Sequence, residues 1–136
     1  KFGNVDVKTV LKCLIIINMN HYKYYLTILL AVFMIFAGIM HFVKPRFYNR
    51  FIPDFIPKLF ANYLAGIIEV LLGIGLLIPQ YQQMAGKGMF YLMLFFLPIH
   101  VLDVFKEKPA IGSKKLAMIR IPVQFILIYW TWYLIK

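Results

Sequence analysis

Apolar residues gather in four long stretches of the chain, separated by short segments rich in charge and proline. A helix needs about 20 predominantly apolar residues to cross a hydrocarbon core about 30 Å thick. Residues 24–42, 60–78, 84–105 and 119–135 meet or approach that length. In hydrocarbon no water is available to bond backbone N–H and C=O groups, and a helix satisfies them within one segment. The pattern therefore predicts an all-α fold: a membrane-embedded four-helix bundle, with a short amphipathic segment between helices 1 and 2. Pro79 closes the second run, and Pro122 falls in the first turn of the fourth, where its missing N–H costs little. Pro98 sits inside the third run and predicts a kink. Tyr24, Tyr25, Tyr129, Trp130, Trp132 and Tyr133 mark run ends on one side, as aromatics do at a membrane interface.

Composition agrees with that solvent. Of 136 residues, 62% are hydrophobic and 18% aromatic; the mean hydropathy is +0.79, well beyond the roughly half-apolar content of a soluble domain. The formal net charge of +10 fits anionic headgroups, and the hydropathy selects the lipid bilayer over nucleic acid as the partner. Cys13 is the single cysteine, which excludes an intramolecular disulfide, a CxxC pair or a cysteine metal cluster within one chain. Residues 1–18 carry only a short apolar run and read as a non-native or poorly ordered extension. The domain proper spans residues 19–136, with Met19 resembling a start.

Lysine and arginine set the expected orientation. Four spans place the N-terminus, the second loop and the C-terminus on one side, with about six basic residues. The other side carries about nine: Lys44, Arg46, Arg50, Lys58, Lys106, Lys108, Lys114, Lys115 and Arg120. Loops 1 and 3 are thus expected to be cytoplasmic, in a bacterial-type inner (plasma) membrane.

The first loop, HFVKPRFYNRFIPDFIP, interrupts the apolar pattern at residues 41–57. Pro45 can open a short helix on which Phe47, Phe51 and Phe55 recur every fourth residue, with Arg46 and Arg50 beside them. This pattern suits an interfacial connector with its rings in the acyl boundary and its cations at phosphates. The other reading is a lid over a site inside the bundle. Pro53 and Pro57 forbid one continuous helix.

Ionisable residues inside spans are expensive and face the bundle interior. In the second run Asn62, Gly66, Glu69 and Gly73 share one helical stripe, so the carboxylate lies beside glycines that let a neighbouring helix approach. At about 1.5 Å per residue, Glu69 sits roughly 14 Å into the span, near the midplane. His41 lies near the end of the first run beside Gly38. Phe96, His100 and Asp103 share a face of the third, and Arg120, Gln124 and Thr131 one of the fourth. Four helices thus direct polar groups toward one half of the bundle. For Glu69 two readings stand: a structural partner, paired with Arg120 or neutral and hydrogen-bonded, and a proton-handling or ligand-orienting group. Asp103 with Arg120 reads first as an ion pair. His41 and His100 read first as solvated or backbone-bonded. With no HxxxH or ExxH pattern, no metal site is expected.

These motifs resemble the DoxX-like family of small four-helix integral membrane proteins. The likeness runs from about Ala37 to the C-terminus. It rests on GIMHFVKPRFYNRFIP, with Gly38, His41, Phe42 and Pro45, and on AGIIEVLLGIGLLIP, with Gly66, Glu69, Gly73 and Pro79. MAGKG, FFLPIH and IRIPVQ, the last with Arg120 and Gln124, complete it. One departure is His100, where many members carry asparagine after Pro-Ala; an imidazole can titrate and an amide cannot. The resemblance implies a link to quinone-dependent redox systems.

Three functions follow as expectations. The first is an accessory subunit of a quinone-linked redox system that binds a small lipophilic ligand, such as a quinone, within the bundle. His41, Glu69, His100, Asp103, Arg120 and Gln124 form its candidate site, and electrons come from a membrane redox protein partner because the chain has no haem, Fe–S or nucleotide motif. The second is a non-enzymatic assembly factor or scaffold partner. The third, a small transporter, ranks last: no inverted repeat is visible, so it requires a homo-oligomer.

Overall fold

The computed structural model describes residues 6–136, the side chains of residues 16–20 excepted. Its helices are α1 (Val7–Val43), α2 (Pro45–Tyr48), α3 (Lys58–Leu77), α4 (Gln82–Phe105) and α5 (Lys114–Ile135). Four segments are long and apolar enough to cross a membrane: His21–Val43, Lys58–Leu77, Gln82–Phe105 and Lys114–Ile135. They pack as the expected bundle.

The differences from the hydropathy pattern lie at helix ends. α1 starts at Val7, where Asp6 caps it by accepting from the Lys8 N–H at 3.3 Å. Residues 7–18 of the stretch read as an extension therefore continue the first helix; residues 1–5 lie outside the described residues. Helix propagation costs little once a turn exists, so a helix outruns its apolar core. α5 likewise begins at Lys114 rather than at residue 119, because the Ser113 hydroxyl accepts from the Leu116 N–H at 3.3 Å and caps it there. Pro122 consequently lies inside the helix and not in its first turn. It leaves the Met118 carbonyl without its usual i+4 donor. α4 runs on through Pro98.

α1 packs chiefly on α3 and α4 on α5, while α3 and α4 join the two pairs. The α1–α3 seam is built on glycine. A Cβ on Gly66 would stand 2.7 Å from the His41 Cβ and 2.8 Å from the Gly38 carbonyl; one on Gly38 would stand 2.7 Å from the Gly66 carbonyl. Gly73 meets Ile35 in the same way. Between helices already surrounded by apolar groups, such backbone approach supplies the van der Waals contact that holds a pair together. Leu30, Ala31, Met34, Leu76, Ala85, Met89 and Met93 form the core. Leu29, Phe33, Phe36, Leu71 and Phe95 point outward.

Side-chain contacts define the two ends of the bundle. Lys23 lies 5.2 Å over the Tyr133 ring and Gln83 Nε2 donates to the Ile135 carbonyl at 3.0 Å, joining the start of the first span, the first turn of α4 and the end of α5. At the opposite end Lys106 Nζ donates to the Arg50 carbonyl at 2.9 Å, joining the first and third loops. α1 and α5 touch sparsely. Their seam leaves a groove of 430 Å³ lined by Tyr22, Leu26, Ile126, Tyr129, Trp130 and Tyr133.

Candidate functional site

The polar stripe of α3 faces inward as its spacing predicts: Asn62, Gly66, Glu69, Gly73 and Leu76 are its buried residues. The glycines at 38 and 66 bring α1 close enough for Asn62 to grip His41 twice. Asn62 Nδ2 donates to the His41 carbonyl at 2.8 Å, and its Oδ1 lies 2.7 Å from His41 Nδ1. The first bond fixes the amide orientation, so Oδ1 accepts and Nδ1 carries the proton. Nε2 of a neutral His41 ring is then a bare acceptor, and it faces Glu69 Oε2 at 3.4 Å. Two bare acceptors at that distance repel, so the pair retains a proton on one side or the other. The 3.4 Å approach is too poorly directed for a hydrogen bond, and Oε2 is left without a hydrogen-bond partner among the described residues.

The first loop closes over this pair. Tyr48 stacks on the His41 ring with centroids 3.8 Å apart and planes at 29°. Phe47 meets Tyr48 edge-on at 5.3 Å and Phe51 at 5.5 Å. Phe51, only 8% exposed, turns its ring toward His100 at 6.2 Å. The two histidines are thus joined through an aromatic series and not by direct contact. The expectation that Phe51 dips into the acyl boundary is corrected: the short α2 ends at Tyr48, and the turns after it rotate Phe51 inward. Phe55, at 85% exposed, keeps the outward position. Burial, and secondarily the nearby Glu69, push the Tyr48 phenol above the ordinary value of 10.0, against the opposing pull of Arg120.

Arg120 sits 4.6 Å from the centre of the Phe51 ring on the face of the lid. It forms no ion pair among the described residues, so the expected pairings with Glu69 and Asp103 are not formed. Glu69 is turned to His41. Asp103 Oδ1 accepts from the Ala110 N–H at 2.8 Å and stands 3.5 Å from Lys106 Nζ, because the third loop folds back over the end of α4. Gln124 also departs from the site. Its Nε2 donates to the Met93 carbonyl at 2.7 Å, clamping α5 to α4. His100, also buried, packs edge-on near Phe51 and beside Phe96; among the described residues its Nδ1 has no hydrogen-bond partner, and neither has Asp103 Oδ2. Of the six candidate residues, His41, Glu69, His100 and Arg120 therefore surround the lid. Asp103 and Gln124 serve the framework beside it.

Residues 30–135 match the family described as a domain of unknown function, DUF8561. The chain belongs to the DUF8561 family. No curated protein and no solved structure matches the chain. The DUF8561 segment contains the whole cluster, from His41 to Gln124, together with the lid.

Sequence reasoning missed three residues of this DUF8561 site. Asn62 stands on the Glu69 stripe at the depth of His41, but spacing within one helix names no partner on another. Tyr48 had no signal of its own, since nothing local fixes which way a four-residue helix turns. Phe51 carried an apolar periodicity that fits the acyl boundary and a plug equally.

Proposed function

We propose that this protein is a DoxX-like integral membrane protein, an accessory subunit of a quinone-linked redox system, that binds a small lipophilic ligand beneath the lid formed by Tyr48 and Phe51. One observation carries the reading: Glu69 Oε2 and His100 Nδ1 are buried and lack hydrogen-bond partners among the described residues, around the same lid as Arg120, which forms no ion pair among them. Buried polar atoms without partners are costly, and a ligand bearing carbonyl or hydroxyl oxygens relieves that cost. The DoxX-like motifs around His41, Glu69 and Arg120 support the same assignment.

The residues present fit a quinone headgroup. A quinone takes up two electrons and two protons on reduction, and the electrons come from a membrane redox protein partner. The chain's own part is positional and protonic. His41 and Glu69 carry an exchangeable proton on Nε2 or on the carboxyl group, Asn62 fixes the imidazole tautomer, His100 offers Nδ1 as a second polar contact, and Arg120 supplies fixed positive charge. Phe51 and Tyr48 exclude water and must move to admit a ligand. Loops 1 and 3 lie in the cytoplasm of a bacterial-type inner membrane in this reading.

Purification in mild detergent followed by lipid extraction tests it. Quinone is expected in the extract, and Glu69→Gln and His100→Ala are expected to lower its recovery while the protein stays folded. Absence of quinone, with quinone-dependent activity unchanged in both variants, overturns the proposal. A second reading, a non-enzymatic assembly factor, is favoured by the Asn62–His41 clasp and the glycine seam, which are framework features. On that reading Glu69→Gln lowers folded yield and no ligand accompanies the wild type.

A further inference from the structure

At the end of the bundle where the first and third loops meet, and separate from the imidazole–carboxylate cluster, lies a cleft of 710 Å³. Arg50, Lys58, Lys108 and Lys114 line it, with Glu107 as the carboxylate among the described lining residues. Asp54 neutralises Lys58 from 2.5 Å, but Arg50, Lys108 and Lys114 make no ion pair among the described residues.

The fold brings these charges together by specific bonds. Lys106 donates to the Arg50 carbonyl and ties loop to loop, while Asp103 accepts from the Ala110 N–H and pins the third loop over the end of α4. Gly112, at φ +108°, turns the chain into Ser113. Ser113 caps the 22-residue α5 through the Leu116 N–H, so the N–H groups of Lys114 and Lys115 remain at the positive end of the helix. Like charges held around one cavity repel each other, and an anion between them removes that repulsion. Multiple oxygens spread over a tetrahedron suit donors arriving from two loops and a helix end.

We propose that this cleft is a binding site for a phosphate-bearing anion. It lies at the polar ends of the membrane-length helices, which puts both a lipid headgroup and a free phosphate within reach.

The test uses the full chain. Native mass spectrometry after release from nanodiscs compares retention of phosphatidylglycerol with that of phosphatidylcholine, and thermal melts in lipid-depleted detergent titrate inorganic phosphate. Preferential phosphatidylglycerol retention identifies a headgroup site, whereas saturable stabilisation by inorganic phosphate alone identifies a free-phosphate site. In either arm Arg50→Gln/Lys108→Gln is expected to weaken binding at least about tenfold. Glu107→Gln is expected to strengthen it. Lys44→Gln/Arg46→Gln, which removes the same charge at the same end but outside the cleft, is expected to leave binding within about twofold. Equal losses in the two double variants, or no binding of either probe by the wild type, overturn the proposal.

Discussion

Asn62 uses both ends of its amide on one histidine, and the tautomer of His41 follows from that grip. Asn62→Leu removes a buried donor and acceptor and leaves the His41 Nδ1–H unpaired. The expected loss is about 2–3 kcal/mol of stability, read as a lower melting temperature and folded yield in detergent; an unchanged melt would show that the clasp is dispensable. Tyr48 provides a pH signature. Its phenol is held above the ordinary tyrosine value, so the folded state binds that proton more tightly than the unfolded state does. The associated stability is fully present below the unfolded value of about 10 and fades as pH rises through the folded one. An ultraviolet titration of phenolate should show one late-ionising tyrosine that disappears in Tyr48→Phe. At this scale the sequence disclosed the identities and depths of the polar residues, because helical spacing fixes both. It did not disclose partners: Glu69 chose His41 over Arg120 because the glycine seam presses α1, not α5, against it.

Between elements, the glycines and the first loop do the positioning. Gly66→Ala would drive a methyl into the His41 Cβ and the Gly38 backbone, neither of which can yield. A destabilisation of about 1–3 kcal/mol is expected, seen as lost folded yield. Gly88→Ala meets the end of the Leu72 side chain instead, which can rotate away, and is expected to cost under about 1 kcal/mol. Equal effects would remove the distinction between backbone and side-chain contact. For the lid, Phe51→Ala takes the ring from Arg120 and His100. Diethylpyrocarbonate should then modify His100 faster than in the wild type, with a stability loss of about 1–3 kcal/mol, less than a full core truncation. Protection unchanged in Phe51→Ala would mean that the loop is no lid. The α3 stripe was legible because its period matches the helix; the inward turn of Phe51 was not, since a short loop has no period to betray its buried face.

For the whole molecule, the helix order and the two ends of the bundle predict a labelling pattern. In a Cys13→Ser background, Arg46→Cys and Lys108→Cys should react with a membrane-impermeant maleimide from one side and Gln80→Cys from the other. On the proposed orientation, in which the loops richer in Lys and Arg stay inside, the first side is the cytoplasm. Labelling of Gln80→Cys and Lys108→Cys from the same side would contradict a four-span arrangement. Four apolar runs and their charged borders specified this topology, except that capping by Asp6 and Ser113 moved the starts of α1 and α5 outward.

By itself the sequence determined an all-helical chain with four membrane-length segments and an inward polar stripe, because backbone bonding in a helix is local and its 3.6-residue period assigns each face. Only the tertiary structure decided which atoms meet. Rotation of packed helices and the path of a short loop depend on contacts between residues far apart in the chain. The His41–Glu69 approach, the Asn62 clasp and the Phe51 plug are products of those contacts.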